Sequence, residues 1–211
     1  MESKVKGASI LITGANGGIG IEVVKMLIKE KAQRIAPHSF ETLNALFGLH
    51  MATGEMDSAE EVAKRTVEHY PQLMYAHISL AQCCTDNSAK ERNHLRKAIE
   101  VNPTHFRGPF MMGLSFKRTS EFRQAIEAFE KATKLNPGYW FSRAEQAECL
   151  MELGEYQKAI EAFDDAIHYV KDYGKLYGLR GICKEKTGDD SGAKRDFGRA
   201  ESLGWEGEDE K

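Results

Sequence analysis

The residues with the clearest chemical potential lie near the start of the chain, in Thr13-Gly14-Ala15-Asn16-Gly17-Gly18-Ile19-Gly20. A glycine-rich turn that runs into a helix presents unpaired N–H groups and the positive end of the helix dipole. Such a turn can cradle a phosphate. Ala8-Ser-Ile-Leu-Ile-Thr13 before it is a short β-branched run and reads as a strand. Ile21 to Lys31 after it has helical spacing, with Val24, Leu27 and Ile28 on one side. Other reactive residue types are dispersed. Cys83, Cys84, Cys149 and Cys183 form no C-x-x-C pair and read as free thiols of a reducing compartment. The seven histidines lack metal-ligand spacing. The acidic pairs Asp164-Asp165 and Asp189-Asp190 fall on solvent faces or in turns, and Glu100 and Glu130 read as solvated helix charge. No cofactor, metal or catalytic residue is therefore expected beyond what the glycine turn could hold.

As a string, Thr13-Gly14-x-x-x-Gly18-Ile19-Gly20 resembles the T-G-x-x-x-G-I-G signature of short-chain dehydrogenases. The resemblance implies that Thr13, Gly14, Gly18, Ile19 and Gly20 approach a cofactor pyrophosphate. The surroundings depart from that family. A dinucleotide fold needs several parallel strands with crossovers, whereas a helical pattern takes over here at about residue 40. The acidic residue expected about 20 positions beyond the glycines has no strand to sit on; Glu41 is near that spacing but falls in a predicted helix. The family's Tyr-x-x-x-Lys is missing, since no tyrosine is followed by lysine four positions later. Residues 1–37 thus read as a truncated dinucleotide-binding-like strand-turn-helix segment: a remnant, a fusion scar or a cap on the first helices beyond it. The alternative function keeps the loop as a nucleotide site of an oxidoreductase-related protein, completed by a partner chain.

Beyond residue 40 the chain repeats itself. Ala125, Phe129 and Ala132 return as Ala159, Phe163 and Ala166, and again as Ala193, Phe197 and Ala200. A shift of about 34 residues without insertion or deletion is the mark of a stacked supersecondary unit. The pattern resembles the tetratricopeptide repeat, a helix-turn-helix unit in which one small residue per helix lets the two helices approach. Five units succeed one another, 40–73, 74–105, 106–139, 140–173 and 174–207, before an acidic tail at 208–211. Gly113 with Ala125, Ala147 with Ala159, and Gly181 with Ala193 are the small pairs of the last three units. The first unit departs by placing Phe47 at the small helix-A position. The second has a turn about two residues short, with Glu91 where a small residue belongs, so a local irregularity is expected there. The fold class is accordingly all-α: a right-handed solenoid of helix-turn-helix repeats preceded by a short strand-turn-helix segment.

The resemblance implies a concave groove lined by the second, fifth and ninth positions of each unit. These are Tyr75, Ile78 and Gln82; Arg107, Phe110 and Leu114; Phe141, Ala144 and Glu148; and Lys175, Gly178 and Ile182. The lining suits an extended or helical peptide, with Arg107 and Lys175 placed to read an acidic group. The function expected is a non-catalytic scaffold for a protein or peptide partner. The lysines, arginines and asparagines that hold heat-shock-protein tails in tetratricopeptide co-chaperones are not supplied by any three consecutive units.

Composition narrows the partners. The 211 residues are 41% hydrophobic with a net charge of −3, which disfavours a general nucleic-acid binder. The charge is uneven, about +3 over residues 1–37 and −6 over the rest. No apolar run approaches the roughly 18–20 residues that span a membrane. Gly14 to Gly20 interrupts what would be a signal peptide's apolar centre, so a cytoplasmic location is expected. Trp205 is expected to cover the last apolar edge. Without a further capping helix, the end repeat is available to self-association.

Overall fold

The structure is a computed structural model that describes residues 38–207. The strand-turn-helix expectation for residues 1–37, its loop residues Thr13 to Gly20, and the acidic tail at 208–211 lie outside the described residues. Within them the chain forms ten α-helices and no strand. The helices are α1 (Phe40–Thr53), α2 (Met56–His69), α3 (Met74–Gln82), α4 (Ser88–Val101), α5 (Arg107–Arg118), α6 (Phe122–Leu135), α7 (Phe141–Glu152), α8 (Tyr156–Tyr169), α9 (Gly174–Lys186) and α10 (Asp190–Ser202). They pair as five antiparallel hairpins, α1 with α2 through α9 with α10.

The chain divides into two compact units, one through His69 and one from Tyr70. In the first, Leu43, Leu46 and Phe47 of α1 and Ala59, Val62 and Ala63 of α2 are buried. Phe47 is therefore a core residue at the position where later hairpins carry glycine or alanine. Gly54 closes α1 in the left-handed conformation that glycine adopts without a Cβ penalty.

In the second unit the contacts are nearest-neighbour. Each second helix packs on the first helix of the next hairpin, and the first helices α3, α5, α7 and α9 also touch one another in succession. Within a hairpin the two helices approach through a small-large pairing. A Cβ at Gly113 would stand 2.5 Å from the Phe129 ring, and one at Gly181 would stand 2.6 Å from the Phe197 ring. At these two positions glycine leaves the ring the space that a Cβ would take. Phe129 and Phe163 are fully buried, with Ala125, Ala132, Ala159 and Ala166 around them. The core runs as clusters between hairpins: Met74, Ile78, Leu95 and Met112 in one, Phe110, Phe129 and Cys149 in the next, then Leu150, Phe163, Leu176 and Cys183.

The second hairpin carries the irregularity expected of it. Helix α3 has only nine residues, and the chain turns through 83–86 before Asn87 caps α4 by accepting from the Lys90 N–H at 3.1 Å. Glu91 replaces the small residue and is 3% exposed. Its carboxylate is satisfied by Ser115 Oγ, which donates at 2.7 Å, and by the Arg118 guanidinium. A buried charge persists only when it is paired and hydrogen-bonded in this way. Arg92 braces the same corner, bonding Ser115 and Glu121 and lying 4.1 Å over the Phe116 ring.

Candidate functional site

The groove face implied by the tetratricopeptide resemblance would run along the first helices α3, α5, α7 and α9, which touch one another in succession. That face is not uniformly accessible. Ile78 is 4% exposed and Phe110 8%, and both belong to core clusters. Phe110 lies edge-on to Tyr139 at 5.0 Å and tilts against Phe129 at 5.8 Å. Ala144 is buried as well. Gly178 is covered by Trp205, whose ring occupies the space a Cβ there would need; the same residue abuts Gly174. Trp205 therefore lies on α9 and takes Gly178 out of the groove lining that the resemblance implied. The residues that remain accessible are Tyr75, Gln82, Leu114, Glu148, Lys175 and Ile182, half-buried, and Arg107 and Phe141, exposed.

Aromatic rings gather where each hairpin leads into the next. The Arg107 guanidinium lies 5.8 Å from the centre of the Tyr75 ring. His105 stacks on Phe106 at 5.0 Å, Phe106 meets Tyr139 at 4.6 Å, and Tyr139 meets Phe141 at 5.6 Å. Trp140 stacks on Phe141 at 3.7 Å and tilts against Tyr173 at 5.3 Å. Phe141 and Tyr173 keep 41% and 42% of their surface exposed. Sequence reasoning missed this edge, although its signal was present: His105, Tyr139 and Tyr173 stand one repeat apart.

The middle of the face carries a charge network. Lys117 Nζ donates to Glu145 at 2.7 Å and to Glu148 at 2.5 Å, and Lys175 Nζ reaches the other Glu148 oxygen at 2.8 Å. Glu148 and Lys175, which the resemblance placed on one face, are brought together; Lys117 was not foreseen. Burial alone would push the Glu148 carboxyl up, but the hydrogen bonds from the two lysines hold it below the usual carboxylate range. Burial opposes the charge on Lys117 too, and its two glutamate partners more than offset it, raising its pKa. Beneath them Cys149 is buried, which pushes its thiol up to about 12. A thiol held protonated in this way is a packing group, not a nucleophile.

Residues 110–172 match the family model described as tetratricopeptide repeat. No curated protein matches the chain in sequence. Solved structures share the fold. The MamA protein is 21% identical, with 76% of this chain and 89% of that one covered and a TM-score of 0.67. YrrB, described as a tetratricopeptide-repeat protein with an unusual peptide-binding site, is 14% identical over 88% of this chain and 94% of its own, with a TM-score of 0.63. PilF of Pseudomonas aeruginosa is 15% identical over 78% of this chain and 77% of that chain, with a TM-score of 0.70. The repeat match thus covers residues 110–172, and the helices share the fold of these solved structures. Among the described residues, no helix is long and apolar enough to cross a membrane.

Proposed function

We propose that the chain is a non-catalytic scaffold that binds a protein or peptide on the face formed by α3, α5, α7 and α9. The observation that carries this reading is the accessible row Tyr75, Arg107, Phe141 and Lys175. These residues occupy the same place in four consecutive hairpins and show a mixture of ring and charge. Aromatic and arginine side chains are enriched among the few residues that carry most of the energy in protein recognition. YrrB, which shares the fold, is described as having a peptide-binding site, and the same use of the repeats is inferred here. A cytoplasmic location for the chain is inferred with it, and the net charge of −3 disfavours a nucleic acid as the partner.

The test compares capture of partners by the full chain with capture by the Tyr75→Ala, Arg107→Ala, Phe141→Ala triple variant. All three side chains are at least partly accessible, so the variant should retain the helical content of the parent. Loss of every specifically retained partner, with unchanged circular dichroism, is the expected result. Capture that is unchanged by the three substitutions would overturn the reading.

A further inference from the structure

Glu148 occupies an unusual place on the binding face. Its two carboxylate oxygens are divided between lysines from the hairpins on either side: Lys117 from α5 at 2.5 Å and Lys175 from α9 at 2.8 Å. Lys117 lies closer to the core than an ordinary surface lysine, with a quarter of its side chain exposed, and Glu145 is its second partner at 2.7 Å. The two lysines converge on one point of the face, and an acidic side chain of this same chain fills that point.

We propose that Lys117 and Lys175 form an anion-binding pair that Glu148 keeps occupied, so that the native face turns away acidic peptides and accepts partners that are uncharged along this stretch. The inference builds on the binding-face reading above and specifies which partners it admits. The physics is competition. An incoming carboxylate would have to displace Glu148 from both lysines at once, leaving a half-buried carboxylate unpaired beside the new one, with Glu145 adding repulsion. An uncharged segment leaves the network intact and packs over the stems of the two lysines and over Phe141, Leu114 and Ile182. The hydrogen-bonded geometry that holds Glu148 ionised keeps the pair occupied at neutral pH.

The experiment uses fluorescein-labelled hexaglutamate as the probe, titrated into the full chain and into its Glu148→Gln variant by fluorescence anisotropy. The amide introduced at position 148 preserves size and still accepts from a lysine, so the fold is retained, and circular dichroism checks it. The expected result is negligible binding to the parent. The variant should bind more tightly by on the order of tenfold, the gain from two half-exposed ion pairs. That binding should fall with added salt and disappear in the Glu148→Gln, Lys175→Met double variant. Equal binding by parent and variant, or binding by the variant that survives loss of Lys175, would overturn the proposal. The synthetic probe keeps the two readings apart. Partner capture unmoved by the triple substitution strikes the binding face as such, whereas equal hexaglutamate binding strikes only the occupied pair.

Discussion

Replacing Gly113 by alanine sets two opposing effects against each other at one carbon atom. Gly113 lies inside α5, where alanine is worth about 1 kcal/mol over glycine in intrinsic helix preference. Its Cβ, however, would lie 2.5, 2.7 and 2.9 Å from three atoms of the Phe129 ring. Unstrained carbon contacts fall at about 3.5–4.0 Å, so the ring would have to retreat by roughly an ångström. It has no room to do so, because Phe129 is fully buried, with Phe110, Ala125 and Ala132 around it. Overpacking of this kind costs about 1–3 kcal/mol, which outweighs the helix gain and leaves a net loss of about 1 kcal/mol. Gly198 in α10 supplies the control: it is also helical, but nothing lies within 4 Å of its would-be Cβ. There the helix preference acts alone and alanine should stabilise by about 0.5–1 kcal/mol. The two variants should differ by about 2 kcal/mol, or about 4–8 °C in melting temperature for a chain of this size. Urea midpoints and calorimetric melting in one buffer measure the difference. Amide exchange across α5 and α6 shows whether the loss is local, as nearest-neighbour stacking requires. A Gly113→Ala protein as stable as the Gly198→Ala protein would refute the small-large account of the seam.

Ser120 has φ 61°, whereas the residues one and two repeats later, Gly154 and Gly188, have φ 72° and 83°. Ser120→Gly relieves the left-handed cost of a side chain, about 1–2 kcal/mol, and returns part of it as unfolded-chain entropy. A gain of about 0.5–1 kcal/mol is expected in the urea midpoint, and an unchanged or lower midpoint contradicts it. His94 gives a pH signature. Its ring stacks 6.4 Å from that of His77, and the Nδ1 atoms of both are buried without a hydrogen-bond partner. Burial first, then Lys97 and His77, lowers the His94 pKa. The folded state therefore binds fewer protons than the unfolded chain below the ordinary histidine value of about 6.5. This contribution to stability is intact above that pH and falls away as the pH drops below it, by at most about 1.4 kcal/mol per pH unit. His94→Gln should flatten the pH dependence of unfolding over that window; a variant that retains the full slope places the effect elsewhere.

The repeat was legible because the seam demands it. Phe129, Phe163 and Phe197 need a small partner at a fixed distance along the chain, and a steric requirement repeated in space appears as a period in sequence. The irregular second hairpin was legible for the same reason, since Glu91 stands where that requirement is broken. Depth was not legible. The resemblance assigns Ile78 and Phe110 to the same face as Tyr75 and Phe141, but how deeply each lies depends on the hairpin beside it. Tyr139 and Phe129 close over Phe110, while Phe141 keeps 41% of its surface exposed. The Lys117–Glu148–Lys175 network escaped because its members are 31 and 27 residues apart on three different helices, and no local rule pairs them. Trp205 was foreseen as a cover, yet its seat on Gly178 follows from the absence of a side chain there, which a pattern of large residues does not reveal.

The seam and the face are written in different residues, so the two can evolve separately. Gly113, Ala147 and Gly181 meet aromatic rings that are the same in three consecutive hairpins, so each joint has the same mechanical specification. Arg107, Phe141 and Lys175 take no part in that specification. Substitution along the exposed row can therefore reset the binding face while the pairing inside each hairpin still fits, in the way movable type can be reset in one frame. Changes in partner choice can accumulate by point substitution, without each new row having to invent a new core.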